Sequence, residues 1–355
     1  MTVAAGLRVA IVGYGLSGRV LHAPLVSATP GMSVASVVTT DAGRAAQATH
    51  DLAGVRVLTD PEELWRAAED HDLVVVASAT ASHAELTVRA LEAGLPVVVE
   101  KPVAVTTDDA RSMSEAARHH GLPVVPFFNR RWDSDHLTLK RLLAERALGQ
   151  VRRYESRFER WRLAVEPAGW RDSLASSHGG GVLLDLGVHL VDQALELFGP
   201  VDRVYAEMNA RRAQADDDVF VALRHHSGVR SHLWASAVSA APGPRLRVLG
   251  STAAFVSAHL DGQEAALRAG TRPDSVSFGE EPPERWGRLR RGEDAAPEPV
   301  PSARGAWDSF YPAVRATLEI GSPPPVRFED AVSVQLVLDA ARRAAGTGAV
   351  VGLSD

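Results

Sequence analysis

The segment GGGVLLDLGVHLVD, residues 179–192, carries three ionisable side chains in an otherwise apolar stretch. Its pattern predicts a buried helix in which Asp185 and His189 lie one turn apart on the same face. An imidazole exchanges protons near neutral pH, and a carboxylate beside it can anchor the group that reacts. The spacing therefore predicts a proton-transfer site. Asp192, three places after His189, is a candidate to hold the histidine ring from behind; a capping or solvated carboxylate is the alternative.

A glycine loop follows the first predicted strand, where VAIVGYGLSG places Gly13, Gly15 and Gly18 in the pattern G-x-G-x-x-G. The first glycine permits a tight turn, the second lets a pyrophosphate approach the backbone, and the third lets helix and strand pack closely. The following helix N-terminus offers amide donors and the positive end of its dipole. This context predicts a dinucleotide site. The intervening loop residues are Tyr14, Leu16 and Ser17.

The end of the second predicted strand, SVASVVTTDAGR, bears on the ribose substituent of that dinucleotide. An NAD site usually has an acid about 20 residues past the glycines, which binds the 2′-hydroxyl. Here Thr39 and Thr40 occupy that place, and Asp41 follows them. Hydroxyl side chains with Arg44 close behind suit a 2′-phosphate, which an acid would repel. We therefore predict that NADP(H) is favoured, with NAD(H) possible because of Asp41.

Two other interpretations of the Asp185–Asp192 segment stay open. Its charged residues can form an ordinary ion pair on a helix surface, or a zinc or manganese site of carboxylate and imidazole ligands. The glycine loop weakens both interpretations, because a nicotinamide carries a hydride without a metal and needs a partner that moves protons. We therefore predict no metal.

Lys101 follows the predicted strand Pro96–Val99, at the carboxyl edge of the sheet, where ligands of open α/β sheets bind. Its ammonium supplies positive charge where an alkoxide develops. Glu100 and Pro102 are predicted to shape the turn that presents this lysine, and Pro102 is a candidate for a cis peptide bond. A solvated lysine is the alternative.

The order of predicted elements indicates two domains, residues 1–126 and 127–355. The first alternates continuous apolar runs with helical segments, as in a Rossmann domain with a parallel sheet covered on both faces. The second is predicted to be α+β, because strand-like runs such as Val201–Ala210 follow one another without helices and suggest a large, mostly antiparallel open sheet. Residues 270–305, rich in Pro, Gly and charge, predict a solvated excursion or a loop that borders the site.

Three stretches together resemble the glucose–fructose oxidoreductase, inositol dehydrogenase and rhizopine catabolism (Gfo/Idh/MocA) family: the glycine loop, VVVEKPVAVT and GGGVLLDLGVHLVDQ. The resemblance covers essentially the whole chain. GYGLSGRVLHAPL, FNRRWDSDHLTLKRL and DGQEAALRAGTRPDSVSFG look like a subgroup with NADP-dependent scyllo-inositol dehydrogenases. The family often has Thr-Pro in the loop after the fourth strand, where this chain has Ser78-Ala79-Thr80.

The resemblance implies an NAD(P)-dependent oxidoreductase that interconverts a secondary alcohol and a ketone on a sugar, inositol or related polyol. It implies a catalytic group of Lys101, Asp185 and His189. We assign His189 as the acid/base, Lys101 as the charge that polarises the substrate oxygen, and Asp185 as a substrate anchor. An NAD-dependent glycoside hydrolase of the same fold and a non-catalytic dinucleotide sensor are the alternatives.

Further residues are predicted to contact the ligands. Asn129–Trp132 can bind substrate or begin an ion-paired helix, and Trp170-Arg171 can touch a ligand or simply pack. The predicted substrate contacts are Asn129, Arg131 and Trp132, with Asp185 and His189. The predicted cofactor contacts outside the glycine loop and the second strand are Ser78, Ala79, Thr80, His83, Glu100, Lys101, Trp170 and Arg171.

The composition narrows the classes of function that the chain can have. The chain has 355 residues, a formal charge of −6 and no cysteine, which disfavours nucleic acid and excludes thiolate chemistry. No basic leader precedes the first strand, and no apolar run reaches the roughly 18 residues of a membrane span. We expect a cytoplasmic protein with a small-molecule substrate. The open sheet of the second domain suggests a homodimer or homotetramer.

Overall fold

A computed structural model describes residues 6–164, 174–175, 178–212 and 214–353 of the chain. No helix within these ranges is both long enough and apolar enough to cross a membrane.

The described residues form two compact units. The first contains the chain up to Asn129 together with Gln263–Phe278 and Ala306–Val332. The second contains the remaining segments, which are Arg130–Gly262, Gly279–Gly305 and the residues from Ser333 onward. The boundary predicted between residues 126 and 127 lies close to the first change of unit, and two later segments return to the first unit.

The first unit is built on a parallel sheet, as the sequence predicts. The segment LVVV at Leu73–Val76 is buried at every position, which is typical of a strand covered on both faces. Within the described residues the sheet has six strands, which are β1 Leu7–Val12, β2 Met32–Val38, β3 Arg56–Leu58, β4 Leu73–Val76, β5 Val97–Val99 and β6 Val124–Pro126. Their order is β3-β2-β1-β4-β5-β6, so that the winding reverses between β1 and β4.

Side-chain caps fix where several helices begin. Asp60 accepts a hydrogen bond from the amide of Glu62, and Thr106 accepts one from the amide of Asp109. Gly121, with φ 66°, ends the second of these helices in the left-handed region. The helices are α1 Ala23–Ala28, α2 Ala42–Asp51, α3 Pro61–Arg66, α4 His83–Glu92, α5 Thr107–His120, α6 Ser134–Ala144, α7 Val188–Phe198, α8 Gln263–Arg268, α9 Phe310–Ile320 and α10 Phe328–Thr347.

The second unit contains a mixed, mostly antiparallel sheet, as predicted. Nine strands of the described chain form it: β7 Val151–Glu159, β8 Val201–Asn209, β9 Asp218–His225, β10 Arg230–Ser236, β11 Leu246–Gly250, β12 Ala254–Ser257, β13 Arg288–Arg290, β14 Glu298–Pro299 and β15 Val351–Gly352. Their order is β14-β13-β12-β11-β7-β10-β9-β8-β15. β7 and β10 pair in parallel, whereas the other neighbours are antiparallel.

Side-chain alternation assigns the two faces of this sheet. In β8, Val204 and Ala206 are buried while Arg203 and Glu207 are exposed. One face therefore packs in the core, and the other carries charged and aromatic residues. The excursion predicted at residues 270–305 is more ordered than its composition suggests, because it supplies strands β13 and β14 to the edge of the sheet.

Candidate active site

The three glycines of the loop after β1 have different surroundings. Gly13 has φ +97°, and a Cβ there would lie 2.7 Å from the carbonyl oxygen of Ala77. A Cβ on Gly18 would collide with the carbonyl oxygen of Gly13. Over Gly15 the nearest atom is Nη1 of Arg44, 3.9 Å away. The outer glycines are thus required by packing, while the middle one faces open space into which a ligand can approach the backbone.

A π-helical turn, Ser17–His22, joins this loop to α1. Beside it lies a cleft of about 450 Å³ lined by Tyr14, Gly15, Asp41 and Arg44, among others. Tyr14 itself is buried, and its hydroxyl contacts Asp51. The cleft joins the glycine loop to the end of β2, which is where the sequence places the ribose end of a dinucleotide.

Asp41, the acid that left NAD(H) open as a cofactor, has a structural role as a helix cap. Its Oδ1 accepts a hydrogen bond of 2.8 Å from the amide of Arg44, which caps the N-terminus of α2. The hydroxyl of Thr39 lies 3.4 Å from the amide of Asp41, and the neighbouring Thr40 is exposed. An arginine, an exposed hydroxyl and a helix N-terminus therefore meet at the end of β2.

The loop after β4 carries a second set of predicted cofactor contacts. The hydroxyls of Ser78 and Ser82 are 2.7 Å apart, and the adjacent Ala79 is half-buried. The hydroxyl oxygen of Thr80 is buried and has no hydrogen-bond partner within the described part of the chain. A buried hydroxyl without a partner is costly, so Thr80 is a candidate to form a hydrogen bond with a polar ligand group.

His83 connects this loop to the turn after β5. Its Nδ1 lies 2.9 Å from the carbonyl oxygen of Pro102, and its Nε2 lies 3.2 Å from that of Ser78. Burial lowers the pKa of the imidazole, although both carbonyls oppose the shift. A neutral ring has one N–H, which the shorter distance assigns to Nδ1. With 1% of its surface exposed, His83 supports the two loops.

The turn after β5 presents Lys101. The Lys101–Pro102 peptide is cis, which confirms the prediction for Pro102. Glu100 is buried: one carboxylate oxygen accepts a hydrogen bond of 2.9 Å from the amide of Lys101, and the other accepts bonds from the Ser17 hydroxyl and from His22. Glu100 therefore shapes the turn, as the sequence predicts, through contacts with the glycine loop.

In the second unit, the GGG segment folds as a π-helical turn, Leu183–Gly187, followed by α7. Asp185 is half-buried and borders a small cavity lined also by Arg160, Arg162 and Arg212. His189 has 4% of its surface exposed. The segment predicted as a single helix is thus a π-helical turn that continues into α7. Asp185 lies in the turn and His189 in the helix.

Asp192 does not hold the histidine ring. Its two carboxylate oxygens lie 3.1 Å from Nε of Arg131, and Oδ1 lies 2.6 Å from Nη2. The carboxylate predicted to hold the His189 ring is therefore paired with Arg131 instead. Arg131, predicted to bind substrate, has 9% of its surface exposed and is used in this buried ion pair. Asn129 is buried and Trp132 half-buried in the short 3-10 helix Asn129–Trp132.

The side of α7 near His189 packs on a layer of arginines and one aromatic ring. The ring centres of His189 and Phe158 are 6.0 Å apart, and the ring planes are inclined at 65° to each other. The guanidinium carbons of Arg245 and Arg130 lie 4.2 and 5.1 Å from the centre of the Phe158 ring. Gln193 links these arginines, since its side chain donates to the Arg130 carbonyl and accepts from Arg245.

Comparison with known proteins shows the family of the chain. Residues 7–128 match the oxidoreductase family with an NAD-binding Rossmann fold, and residues 136–256 match the GFO/IDH/MocA C-terminal domain. The chain belongs to the Gfo/Idh/MocA family of oxidoreductases.

Its relatives span nearly the whole chain. It is 33% identical over 338 residues to the scyllo-inositol 2-dehydrogenase (NADP(+)) IolW of Bacillus subtilis, covering 94% of this chain and 92% of that protein. It is 35% identical over 336 residues to the oxidoreductase YdgJ of Escherichia coli, covering 94% of each. The structure of the Bacillus subtilis oxidoreductase YvaA superposes with a TM-score of 0.92 at 31% identity, over all of both chains.

The residues of this Gfo/Idh/MocA protein fit the NAD(P) cofactor of the family. Three features lie along one edge of the first sheet: open space over Gly15, the arginine at the end of β2, and the buried hydroxyl of Thr80, which has no hydrogen-bond partner in the described part of the chain. Each matches one need of a dinucleotide: an approach to backbone amides, a polar contact and a cationic contact. Among the described residues, no group of three or more His, Asp or Glu side chains is placed to hold a metal ion.

Two residues of the site were missed by the sequence analysis. His22 follows Gly18 by four places in an apolar segment, a signal that was available in the sequence. Tyr311 lies 289 residues from His22, and nothing in the sequence connects them. Trp170 and Arg171, predicted to touch the cofactor, lie outside the described residues.

Proposed function

We propose that the protein is an NADP(H)-preferring dehydrogenase that interconverts a secondary alcohol and a ketone on an inositol, sugar or related polyol. The observation that carries the cofactor preference is at the end of β2: the carboxylate of Asp41 caps α2, while the guanidinium of Arg44 lies beside Gly15. In an NAD site an acid at this place accepts the 2′-hydroxyl, whereas here one oxygen of the Asp41 carboxylate already accepts from the amide of Arg44. The NADP(+) dependence in the name of the Bacillus subtilis relative supports the same preference.

The catalytic group that we propose is Lys101, Asp185 and His189. The nicotinamide supplies the hydride acceptor when bound. The neutral imidazole of His189 takes the hydroxyl proton, the ammonium of Lys101 stabilises negative charge on the substrate oxygen, and Asp185 accepts a hydrogen bond from a second hydroxyl. In the reverse direction His189 returns the proton to the ketone oxygen.

The basic residues of the chain support a special place for Lys101. Only two of its 38 lysines and arginines are lysines, Lys101 and Lys140. Lys140 is half-exposed and paired with Glu196 at the surface. A compact ammonium, unlike a guanidinium, can both orient an oxygen and exchange a proton. Because this chain uses arginine at nearly all of its basic positions, the lysine at position 101 points to a need for an ammonium there.

The direct test is turnover of a substrate panel with single variants. Inositols, aldoses and small ketones are offered with NADP and with NAD, and nicotinamide absorbance is followed. On the best substrate we expect Lys101→Ala and His189→Ala each to lower kcat by about a thousandfold or more, while NADPH still binds. Lys140→Ala is the matched control and should keep full activity. Unchanged turnover in Lys101→Ala and His189→Ala would refute the assignment.

Cofactor preference has its own test, a fluorescence titration with NADPH and NADH. Arg44→Ala should weaken NADPH binding about tenfold and leave NADH binding unchanged, because only NADPH has the 2′-phosphate. Arg111→Ala, an exposed arginine on α5, is the control. Tighter binding of NADH than of NADPH by the unaltered protein would overturn the preference. Glycoside cleavage without net nicotinamide turnover would favour the hydrolase alternative.

We also propose that the protein is a homodimer or homotetramer formed through the exposed face of the second sheet. Half-exposed aromatic rings cluster there: Phe220 lies 5.1 Å from Trp234, and the guanidinium of Arg157 stacks 3.9 Å over the Trp234 ring. Such a patch is typical of protein interfaces. Light scattering should give a mass of two or four times 37.9 kDa, and Trp234→Asp should reduce it to 37.9 kDa. A mass of 37.9 kDa for the unaltered protein would refute this proposal.

A further inference from the structure

The first unit contains a buried chain of hydrogen bonds that ends at the backbone of Lys101. The hydroxyl of Tyr311 lies 2.6 Å from Nδ1 of His22, and Nε2 of His22 lies 3.1 Å from one carboxylate oxygen of Glu100. The same oxygen accepts from the Ser17 hydroxyl, and the other oxygen accepts from the Lys101 amide. The glycine loop and the lysine turn are thereby held by one carboxylate.

The Tyr311, His22 and Glu100 side chains of this hydrogen-bond network are buried. His22 and Tyr311 have no exposed surface, and Glu100 has 6%. Aromatic rings surround it: the His22 ring lies 4.3 Å from Phe127, which in turn lies 4.8 Å from Phe310. Hydrogen bonds in such an apolar environment are strong, and losing one partner leaves another polar atom unsatisfied.

The direction of the hydrogen bond between His22 and Glu100 follows from the chemistry of the two groups. A carboxylate can only accept, so His22 donates to Glu100 through Nε2, and its Nδ1 forms the hydrogen bond with the Tyr311 hydroxyl. Every polar atom is then satisfied, which leaves Glu100 one orientation. Deleting the tyrosine hydroxyl would release the ring, and releasing the ring would loosen the carboxylate.

We propose that His22 and Tyr311 are positioning residues, which act through Glu100 to fix the backbone of Lys101 relative to the glycine loop. The proposal rests on the catalytic role proposed for Lys101. It adds two residues, from the π-helical turn and from α9, that touch neither substrate nor cofactor. Their contribution is to hold the ammonium where the reacting oxygen will be, since misplacement by about 1 Å can cost about a hundredfold in rate.

The variants remove one contact at a time. Tyr311→Phe deletes only the hydroxyl. His22→Leu removes both ring nitrogens, and His22→Gln keeps an amide donor for Glu100. The matched control is His71→Leu, since His71 is also buried in this unit and bonded on both sides, to Ser36 and to the carbonyl of Ala67, without contacting Glu100.

The first readout is chemical labelling of lysine in the full-length protein by an amine-reactive reagent, quantified by peptide mass spectrometry. Because the chain has only two lysines, Lys140 is an internal reference for Lys101. We expect Tyr311→Phe and His22→Leu to change the Lys101 to Lys140 labelling ratio at least about threefold, with partial recovery in His22→Gln. His71→Leu should leave the ratio unchanged.

The second readout is turnover on the best substrate. Tyr311→Phe and His22→Leu should lower kcat about tenfold with little change in KM, and His22→Gln should recover part of the loss. An unchanged labelling ratio with kcat lowered no more than in His71→Leu would overturn the proposal. Full activity of Lys101→Ala would instead refute the proposed function, and the labelling ratio would still decide whether His22 and Tyr311 hold the lysine.

Discussion

Each unit contains a glycine segment that leads into a π-helical turn anchored by a buried carboxylate. In the first unit the turn is Ser17–His22 and the anchor is Glu100, whereas in the second the turn is Leu183–Gly187 and the anchor is Asp216. π turns are rare and tend to occur at functional sites. The same local device therefore appears once beside the proposed cofactor site and once beside Asp185.

The two turns differ in what fills the space over their glycines. Over Gly15 the space is open except for the tip of Arg44. Over Gly181, which has φ +95°, the carboxylate of Asp216 takes the place that a Cβ would need, and it accepts a hydrogen bond of 2.7 Å from the amide of Leu183. The first glycine segment is thus shaped to receive a ligand, and the second to receive a side chain of the same protein. A glycine-rich segment by itself does not distinguish these uses.

The largest effect is expected at the filled glycine. Gly181→Ala should lower the free energy of unfolding by about 4 kcal/mol, because it combines strain at positive φ with displacement of a carboxylate from a buried amide. The measurement is urea denaturation. Gly228→Ala is the control, since Gly228 has φ +85° but open space around it. It should cost about 1–2 kcal/mol from strain alone. Equal losses in both variants would mean that the Asp216 contact contributes nothing.

The anchor of the first turn should make stability depend on pH. Burial would raise the pKa of Glu100, but the hydrogen bond and charge of His22, with Lys101 and Ser17, hold it at about 2. The folded pKa lies below the ordinary 4.5, so this stabilisation is complete above pH 5 and is lost as the pH falls toward 2. The difference in unfolding free energy between wild type and Glu100→Gln should therefore shrink by about 3 kcal/mol on acidification. A difference that stays constant with pH would contradict this account.

The smallest change in stability is expected at the open glycine. Gly15→Ala should alter the free energy of unfolding by less than about 0.5 kcal/mol, because its Cβ meets no atom closer than 3.9 Å. NADPH binding should nevertheless weaken at least about tenfold, since the methyl group occupies the place where a pyrophosphate reaches the backbone. Fluorescence titration and urea denaturation of the same sample separate the two effects. A stable variant that binds NADPH normally would show that the open space has no part in cofactor binding.

Local signals in the sequence predicted much of the first unit and less of the second. The continuous apolar runs, separated by helical segments, predicted the parallel sheet of the first unit. The short strand β3 and α2 were missed, because Arg56–Leu58 is too brief to show a period and Ala42–Asp51 is mostly alanine and polar. In the second unit β7 was missed, since its charged residues at Arg152 and Arg153 interrupt the apolar pattern.

The candidate site was predicted residue by residue but not contact by contact. Lys101, Asp185 and His189 were singled out from residue type and family resemblance. Arg131 was predicted to bind substrate and Asp192 to hold His189. In the structure Arg131 and Asp192 pair with each other. A sequence shows that a buried charge needs a partner, but several partners of suitable charge are available, and packing selects among them.

The amino-acid sequence by itself determined the parallel sheet, the glycine loop, the position of Lys101 after a strand and the family, because each depends on residues near one another in the chain. Only the tertiary structure decided which partner each buried polar group has. Glu100 meets His22 from 78 residues away, and His22 meets Tyr311 from 289. The physical reason is that a carboxylate taken out of water must be hydrogen-bonded, whereas the donors that satisfy it are chosen by the packing of distant segments.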